Sequence, residues 1–315
     1  MREFPPPPTA AAAHADSLFD RLKQTQAPVT TELQIACGKL SKANCSKVLP
    51  RLIEQAAPLG LTLVPEESEG SFESATGVCL GAVEGAIVQR DAADKRGRAA
   101  DCVGKYDDVG APLYPYYAFV VIAATNRADS LGELVDRVPE GRTVNVAAGA
   151  LGSGGPITLD YILRANPAWK RAINVSTFGV DTALRRVTDG GLDAFFVMDA
   201  LDSDLLETIR SSTDKNGRPM YKFLDLRPGK AFFDIRDWSG RRLFQQVVLE
   251  GGLFSSTKTV SVDAIVIVNN AFREDRQKGG PLAIERLATA IDHAQAAIMA
   301  DTKTPRDWRP SISQK

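Results

Sequence analysis

Histidine is almost absent from this chain of 315 residues. His14 lies in an N-terminal stretch rich in proline and alanine, and His293 lies in a segment with helical periodicity near the C-terminus. A Ser-His-Asp triad, a histidine acid–base pair and a histidine metal cage all need histidine in the folded core. The sequence therefore excludes much histidine-dependent chemistry, and we expect neither a bound metal nor a cofactor.

Long hydrophobic runs and an excess of one charge are also missing. The longest apolar stretch, residues 116–125, is about half of what a membrane-spanning helix requires. The 38 basic and 39 acidic residues leave a net charge of -1 and form no basic run, so we expect no nucleic-acid partner. With 44% hydrophobic residues, the chain is long enough for a globular protein of two domains.

Cysteine is scarce and confined to the first third of the chain, at Cys37, Cys45, Cys79 and Cys102. An even number suits two local disulfides in an oxidising compartment, and we predict the pairs Cys37–Cys45 and Cys79–Cys102. The alternative is four buried free thiols in a cytosolic protein. The spacing matches no zinc motif.

The first 29 residues are expected to be a disordered or leader segment, because Pro5 to Pro8 and Ala10 to Ala13 form a low-complexity stretch. Ala13-His14-Ala15 has the small-x-small form of a signal-peptidase site, but no hydrophobic segment precedes it. We interpret this as an incomplete or absent signal peptide.

One strand–helix–strand–helix–strand rhythm occurs twice along the chain. The first pass comprises residues 33–38, 48–57, 61–64, 71–84 and 86–89, and the second comprises 144–149, 156–165, 173–176, 180–189 and 192–198. A repeat of this kind predicts two similar lobes. Alternating strands and helices predict an α/β fold with parallel sheets, which bind ligands beyond the carboxyl ends of their strands.

In each repeat the first strand ends at a glycine-bearing turn. Residues 149–156 read GALGSGGP, and Pro156 suits the first position of a helix. We expect the backbone N–H groups of residues 153–155 to form a carboxylate cradle at the positive end of that helix. The glycine spacing does not match a dinucleotide-binding loop, and no Lys-Ser/Thr follows it as in a phosphate-binding P-loop. Tight turns without a ligand are the alternative.

Six short motifs, in order, resemble one known family. They are GSFES at 70–74, AIVQRD at 86–91, LYP at 113–115, GALGSGG at 149–155, LDAFF at 192–196 and TVSVDAIVI at 259–267. These are similar to motifs of the TAXI-type solute receptors of TRAP transporters, which are type II periplasmic solute-binding proteins. The likeness runs from about Leu33 to Phe272.

The resemblance implies a two-lobed fold whose lobes are joined by hinge strands and close over a ligand cleft. Lobe 1 would comprise residues 30–126 and 246–315, lobe 2 would comprise 127–245, and the chain would cross near 124–127 and 234–248. It further implies a monomeric, non-enzymatic periplasmic or extracytoplasmic receptor. Such a receptor captures a small organic acid, a carboxylate or amino acid, and delivers it to TRAP-type membrane subunits. Asn44 and Cys45 stand where the family has aromatic residues, so the ligand is expected to be smaller or more polar.

Candidate ligand-binding residues follow from the strand ends and helix starts. They are Lys39, Asn44, Ser71, Gln89, Tyr114, Gly149, Ser153, Gly154, Gly155, Phe178 and Asp199. The serines could instead be ordinary helix caps, and Gln89 and Tyr114 could make structural hydrogen bonds. An intracellular small-molecule sensor and an enzyme of related fold are the alternative functions.

Overall fold

The computed structural model describes residues 30–250 and 256–310. The prediction for residues 1–29 lies outside these ranges. The described residues form the strands β1 (Thr31–Ala36), β2 (Leu61–Glu66), β3 (Gly85–Gln89), β4 (Tyr106–Ala123), β5 (Val144–Ala147), β6 (Ile173–Ser176), β7 (Ala194–Asp199), β8 (Tyr221–Leu224), β9 (Gln245–Leu249) and β10 (Thr257–Asn269).

Helices alternate with these strands, as the repeat predicts. They are α1 (Leu49–Ala56), α2 (Ser71–Leu80), α3 (Arg90–Gly97), α4 (Leu131–Asp136), α5 (Gly155–Ala165), α6 (Pro167–Ala172), α7 (Val180–Thr188), α8 (Asp204–Ser211), α9 (Asn270–Glu274) and α10 (Gly280–Asp301). A π-helical turn (Asn44–Val48) leads into α1, and short 3-10 turns occupy Ala57–Leu59 and Lys230–Asp234.

All ten strands join one sheet, and its topology shows the repeat directly. The order is β2-β1-β3-β10-β4-β7-β5-β6, with β8 paired to β4 and β9 paired to β10. The first half (β2, β1, β3) and the second half (β6, β5, β7) have the same parallel arrangement. The long strands β10 and β4 lie antiparallel between them. Each half is therefore completed by a strand from the centre of the sheet.

The apolar pattern of the sequence explains this layering. The strands β3 and β7 are buried at every position, as expected for strands covered by helices on both faces. In α1 the buried residues Leu49, Leu52 and Ala56 follow helical spacing and face the long helix α10. Helix α2 ends earlier than the sequence pattern predicts, because Gly81 adopts a left-handed conformation (φ 72°) that ends the helix.

Both predicted disulfides are confirmed: Cys37 is bonded to Cys45, and Cys79 is bonded to Cys102. The alternative of four free thiols is therefore wrong. Among the described helices, none has the length and apolar character that crossing a membrane requires.

Candidate functional site

A cavity of about 170 Å³ lies where the carboxyl ends of strands from both halves of the sheet meet. The first half contributes residues that follow β1, the last residue of β3 and the start of α2. The second half contributes the loop after β5, the start of α5 and the end of β7. Parallel α/β sheets place their ligands at this edge.

Nine of the eleven predicted site residues line this cavity. They are Lys39, Asn44, Ser71, Gln89, Gly149, Ser153, Gly154, Gly155 and Asp199. The two others, Tyr114 and Phe178, are not among the lining residues. Contact between the nine lining residues and a ligand stays a prediction.

Tyr114 lies behind the cavity wall. Its side chain is fully buried, and its hydroxyl donates a 2.8 Å hydrogen bond to Oδ1 of Asn44. The Asn44 Nδ2 group donates in turn to the carbonyl of Ile87, at 3.1 Å. Both polar ends of the Asn44 amide are thus engaged by protein groups, and burial raises the pKa of Tyr114 well above its ordinary value.

Tyr116 takes the position in the cavity wall that the sequence interpretation gave to Tyr114. The two rings are in contact, with centroids 4.9 Å apart. Residues two apart on a strand share a face, so the alternation along β4 makes Tyr116 a candidate beside Tyr114 but does not choose between them. Lys42 also lines the cavity and was missed, because several polar residues of the loop after β1 are equally plausible from sequence.

Ser71 is positioned to donate a hydrogen bond into the cavity. It is the first residue of α2, and Gly70 occupies the cap position, so Ser71 is not a side-chain cap. Its Oγ accepts a 3.1 Å hydrogen bond from the backbone N–H of Gln89. A hydroxyl can accept and donate at once, so its own hydrogen can be donated to a ligand.

Gln89 lines the cavity at the end of β3. The residue is only 4% exposed, and its Oε1 is buried with no hydrogen-bond partner within the described ranges. A Cβ atom built on Gly154 would lie 1.9 Å from this oxygen. The absence of a side chain at Gly154 therefore makes room for the Gln89 amide at the start of α5.

The start of α5 fits the predicted carboxylate cradle only in part. No side chain caps Gly154, and the first N–H groups of a helix have no partner within the helix. Gly154 and Gly155 both line the cavity. The prediction for Ser153 is wrong in one respect: its backbone N–H and its Oγ both donate to the carbonyl of Ala150, at 3.1 and 2.7 Å. Ser153 therefore stabilises the turn between β5 and α5 through these two hydrogen bonds.

The start of α2 is occupied by a backbone group from the other half of the sheet. The carbonyl oxygen of Gly152 accepts hydrogen bonds from the N–H groups of Phe72 and Glu73, at 3.0 and 3.1 Å. Gly70 makes this approach possible, because a Cβ there would lie 2.9 Å from Cα of Ser153. The two halves are thus in direct contact beside the cavity.

Charged groups at the cavity have both signs. Asp199 is 2% exposed, and its carboxylate accepts from Lys42 Nζ at 3.3 Å and from the N–H of Ala200 at 2.9 Å. Burial raises the pKa of Asp199, while the Lys42 charge opposes this rise. The other lysine, Lys39, pairs with Glu69 at 2.8 Å, and both side chains are about half exposed.

Phe178 belongs to the second half of the sheet but does not reach the cavity wall. The guanidinium of Arg186 lies 4.4 Å from the centroid of its ring, a cation–π geometry. The neighbouring Gly179 and Val180 line the cavity instead.

No family model and no curated protein matches this sequence. Solved structures do match its fold. They include the probable amino-acid ABC transporter extracellular-binding protein from Bacillus subtilis, with 10% identity over 87% of this chain and 97% of that chain (TM-score 0.50). A protein named Tv2483, solved bound to L-arginine, has 10% identity over 93% and 96% of the two chains (TM-score 0.53).

A periplasmic sulfonate-binding protein from Methylobacillus flagellatus KT has 12% identity over 89% of this chain and 75% of that chain (TM-score 0.50). At these identities the likeness establishes the fold alone. The chain has the two-lobed α/β fold of type II periplasmic binding proteins, as predicted.

Proposed function

We propose that this protein is an extracytoplasmic solute-binding receptor that captures a small organic acid by closure of two lobes. Lobe 1 comprises residues 30–126 and 246–315, and lobe 2 comprises 127–245. The observation that carries the proposal is a small cavity between the two sheet halves, lined by helix starts, the Ser71 hydroxyl and two acceptors. The two disulfides agree with an extracytoplasmic location.

An α-amino acid fits the polarity of this cavity best. The N–H groups at the start of α5 and the hydroxyl of Ser71 are suited to a carboxylate. Gln89 Oε1 and the Asp199 carboxylate are acceptors, which suit an ammonium group. A dicarboxylate would bring its second negative charge towards Asp199, so the cavity favours a zwitterion.

Binding without turnover is part of the proposal. The cavity's cysteine, Cys37, is held in a disulfide, and Lys42 is paired with Asp199, so neither is an activated nucleophile. Two of the solved structures named above are described as binding proteins of transport systems, which agrees with capture and release.

A membrane transporter is the proposed partner. The motif resemblance favours the TRAP type, whereas the two solved relatives described as transport proteins belong to ABC transporters. An uptake experiment distinguishes these two transporter types. Vesicles contain either a TRAP or an ABC membrane complex, and this protein is added as a monomer. Uptake with the ABC complex alone would overturn the TRAP assignment.

A thermal-shift screen followed by calorimetric titration tests the receptor function. The panel contains the L-amino acids, succinate, 2-oxoglutarate and taurine, and the protein is first unfolded and refolded to remove retained ligand. A compound at a hundred times its Kd should add about 2.7 kcal/mol to the free energy of unfolding. No shift by any panel member, with folded protein, would contradict the proposal.

The variants Asp199→Asn and Ser71→Ala then test which residue binds the ammonium group of the ligand and which binds its carboxylate. We expect Asp199→Asn to weaken binding of amino acids more than binding of dicarboxylates, because only amino acids carry an ammonium group. Ser71→Ala should weaken both classes. Equal losses for both classes in Asp199→Asn would contradict an amino-acid ligand.

A further inference from the structure

The Cys37–Cys45 disulfide closes a short loop in the cavity wall. Cys37 directly follows β1, and Cys45 lies in the π-helical turn that precedes α1. Cys37 itself lines the cavity, and so do Lys42 and Asn44 in the loop between the two cysteines. The bridge therefore joins the two ends of a segment that supplies polar groups to the site.

The tip of this loop has little packing to hold it in place. Leu40, at its tip, is 60% exposed, and the Lys42 side chain is 40% exposed. Its internal hydrogen bonds are turn contacts, from the N–H of Lys42 to the carbonyl of Lys39 and from the N–H of Cys45 to the carbonyl of Lys42. A loop tip with few buried contacts samples many conformations unless it is restrained.

The loop and the turn that follows it also reach the other half of the sheet. Lys42 Nζ lies 3.3 Å from the Asp199 carboxylate at the end of β7. Lys47 Nζ lies 2.9 Å from the Asp202 carboxylate in the loop that follows β7. Lys42, in the loop, and Lys47, in the turn that follows it, thus extend to acidic groups of the second half.

The second disulfide provides an internal comparison. Cys79 lies near the end of α2, and Cys102 lies in the turn before β4. Neither residue lines the cavity, and this bridge closes a longer loop, with a sequence separation of 23 against 8. Chain-entropy reasoning gives the longer loop the larger effect on folding stability.

We propose that the Cys37–Cys45 disulfide is a positioning element of the ligand site. It restrains the exposed tip of the loop and thereby holds Lys42 where its ammonium group meets Asp199 across the cleft. This role rests on the proposed receptor function. The Cys79–Cys102 disulfide, in contrast, stabilises the fold alone.

The test compares Cys37→Ala/Cys45→Ala with Cys79→Ala/Cys102→Ala in the full chain. Ligand affinity is measured with the panel member that gives the largest thermal shift. We expect the first variant to bind about tenfold more weakly, because loop and side chains must then be ordered on binding. The second variant should keep its affinity although its melting temperature falls at least as much. The proposal would be overturned if both variants kept the ligand affinity of the native protein, or if both lost affinity to the same extent.

Two further measurements separate this role from the receptor function. Hydrogen exchange on the ligand-free protein should be faster at residues 38–45 and 199–202 in the first variant only; unchanged exchange there would overturn the positioning role even if no panel compound binds. Lys42→Met should weaken binding in the native background and add little in the Cys37→Ala/Cys45→Ala background. Additive losses would show that the disulfide does not act through Lys42.

Discussion

Glycine is required at position 154 because a side chain there would overlap a neighbouring residue, and not because of the backbone conformation. Its φ of -75° and ψ of -25° lie in the right-handed helical region that any residue adopts. The restriction comes from Gln89, whose Oε1 and Cδ would lie 1.9 and 2.3 Å from an added Cβ. A single methyl group at this position must therefore displace the Gln89 amide from the start of α5.

Gly154→Ala should consequently weaken ligand binding and lower the free energy of unfolding by about 1–3 kcal/mol, as overpacking of a tight contact does. Calorimetric titration and urea unfolding measure the two effects. The double variant Gly154→Ala/Gln89→Ala is the control, because removing the amide restores the space. If the double variant is no more stable than Gly154→Ala, the contact with Gln89 is not the cause.

Tyr114 donates a structural hydrogen bond to Asn44, whereas within the described ranges no hydrogen bond of the Tyr117 hydroxyl, also on β4, is found. Tyr114→Phe leaves the buried Oδ1 of Asn44 without its hydrogen-bond donor. We expect the free energy of unfolding to fall by about 1–3 kcal/mol, the cost of an unsatisfied buried polar group. Tyr117→Phe is the matched control. Similar values for the two variants in urea unfolding would contradict the assigned role of Tyr114.

At the scale of elements, helices α3 and α5 meet along a polar seam. Thr158 Oγ1 donates to Asp91 Oδ2 at 2.5 Å, and the hydroxyl of Tyr161 donates to Asp94 Oδ2 at 2.8 Å. The Thr158 hydroxyl also lies 3.3 Å from the carbonyl of Gly154, a second acceptor for its single hydrogen. A protonated Asp91 would resolve this competition by donating to Thr158, which could then donate to Gly154.

Burial raises the pKa of Asp91 to about 7, from an ordinary value of 3.8. Between these two values the folded state binds more protons at this residue than the unfolded state does. The free energy of unfolding should therefore fall as the pH rises from about 4 to 7, by on the order of 4 kcal/mol from this group.

Asp91→Asn should remove this contribution, because an amide does not titrate. Urea unfolding at both pH values gives the free energy of unfolding of the variant minus that of the native protein. This difference should be more favourable to the variant at pH 8 than at pH 5. Asp181→Asn, which removes an exposed carboxylate at the start of α7, is the control for the loss of one negative charge. If the free energy of unfolding of Asp91→Asn depends on pH as in the native protein, Asp91 is not the source of that dependence.

At the scale of the whole molecule, several ion pairs and backbone hydrogen bonds join the two proposed lobes across the cleft. The ion pairs Lys42–Asp199, Lys47–Asp202 and Lys95–Asp160 connect them, together with the Gly152 carbonyl at the start of α2. Polar contacts exchange readily with water, unlike an apolar core. This composition suits an interface that opens and closes.

Asp202→Ala removes the partner of both Lys47 and Lys303. The ligand-free protein should become more open, with a larger radius of gyration in small-angle X-ray scattering. The free energy of unfolding should change by less than about 1 kcal/mol, because these ion pairs are partly exposed. Asp101→Ala is the control, since its pair with Arg96 lies within one lobe. An unchanged radius in Asp202→Ala would show that these pairs do not hold the cleft closed.

Local patterns along the chain predicted the architecture. The apolar runs of β1, β3, β5 and β7 and the glycines that follow several strands are short-range signals, and the repeat showed that they recur in the same order. The disulfide pairs were also predictable, because each joins cysteines that are close in sequence. Strand ends and helix starts identified nine residues of the cavity wall, since parallel sheets bind ligands at that edge.

The sequence alone therefore determined the two-lobed α/β fold, the disulfides and the edge of the sheet that carries the cavity. Only the tertiary structure decided that Tyr116 faces the cavity while Tyr114 lies behind it, and that Lys42 pairs with Asp199, 157 residues away. It also brought Gln89 against Gly154 and the Gly152 carbonyl to the start of α2. These contacts join groups far apart in the chain, and no local periodicity or turn preference specifies which of several suitable side chains will meet.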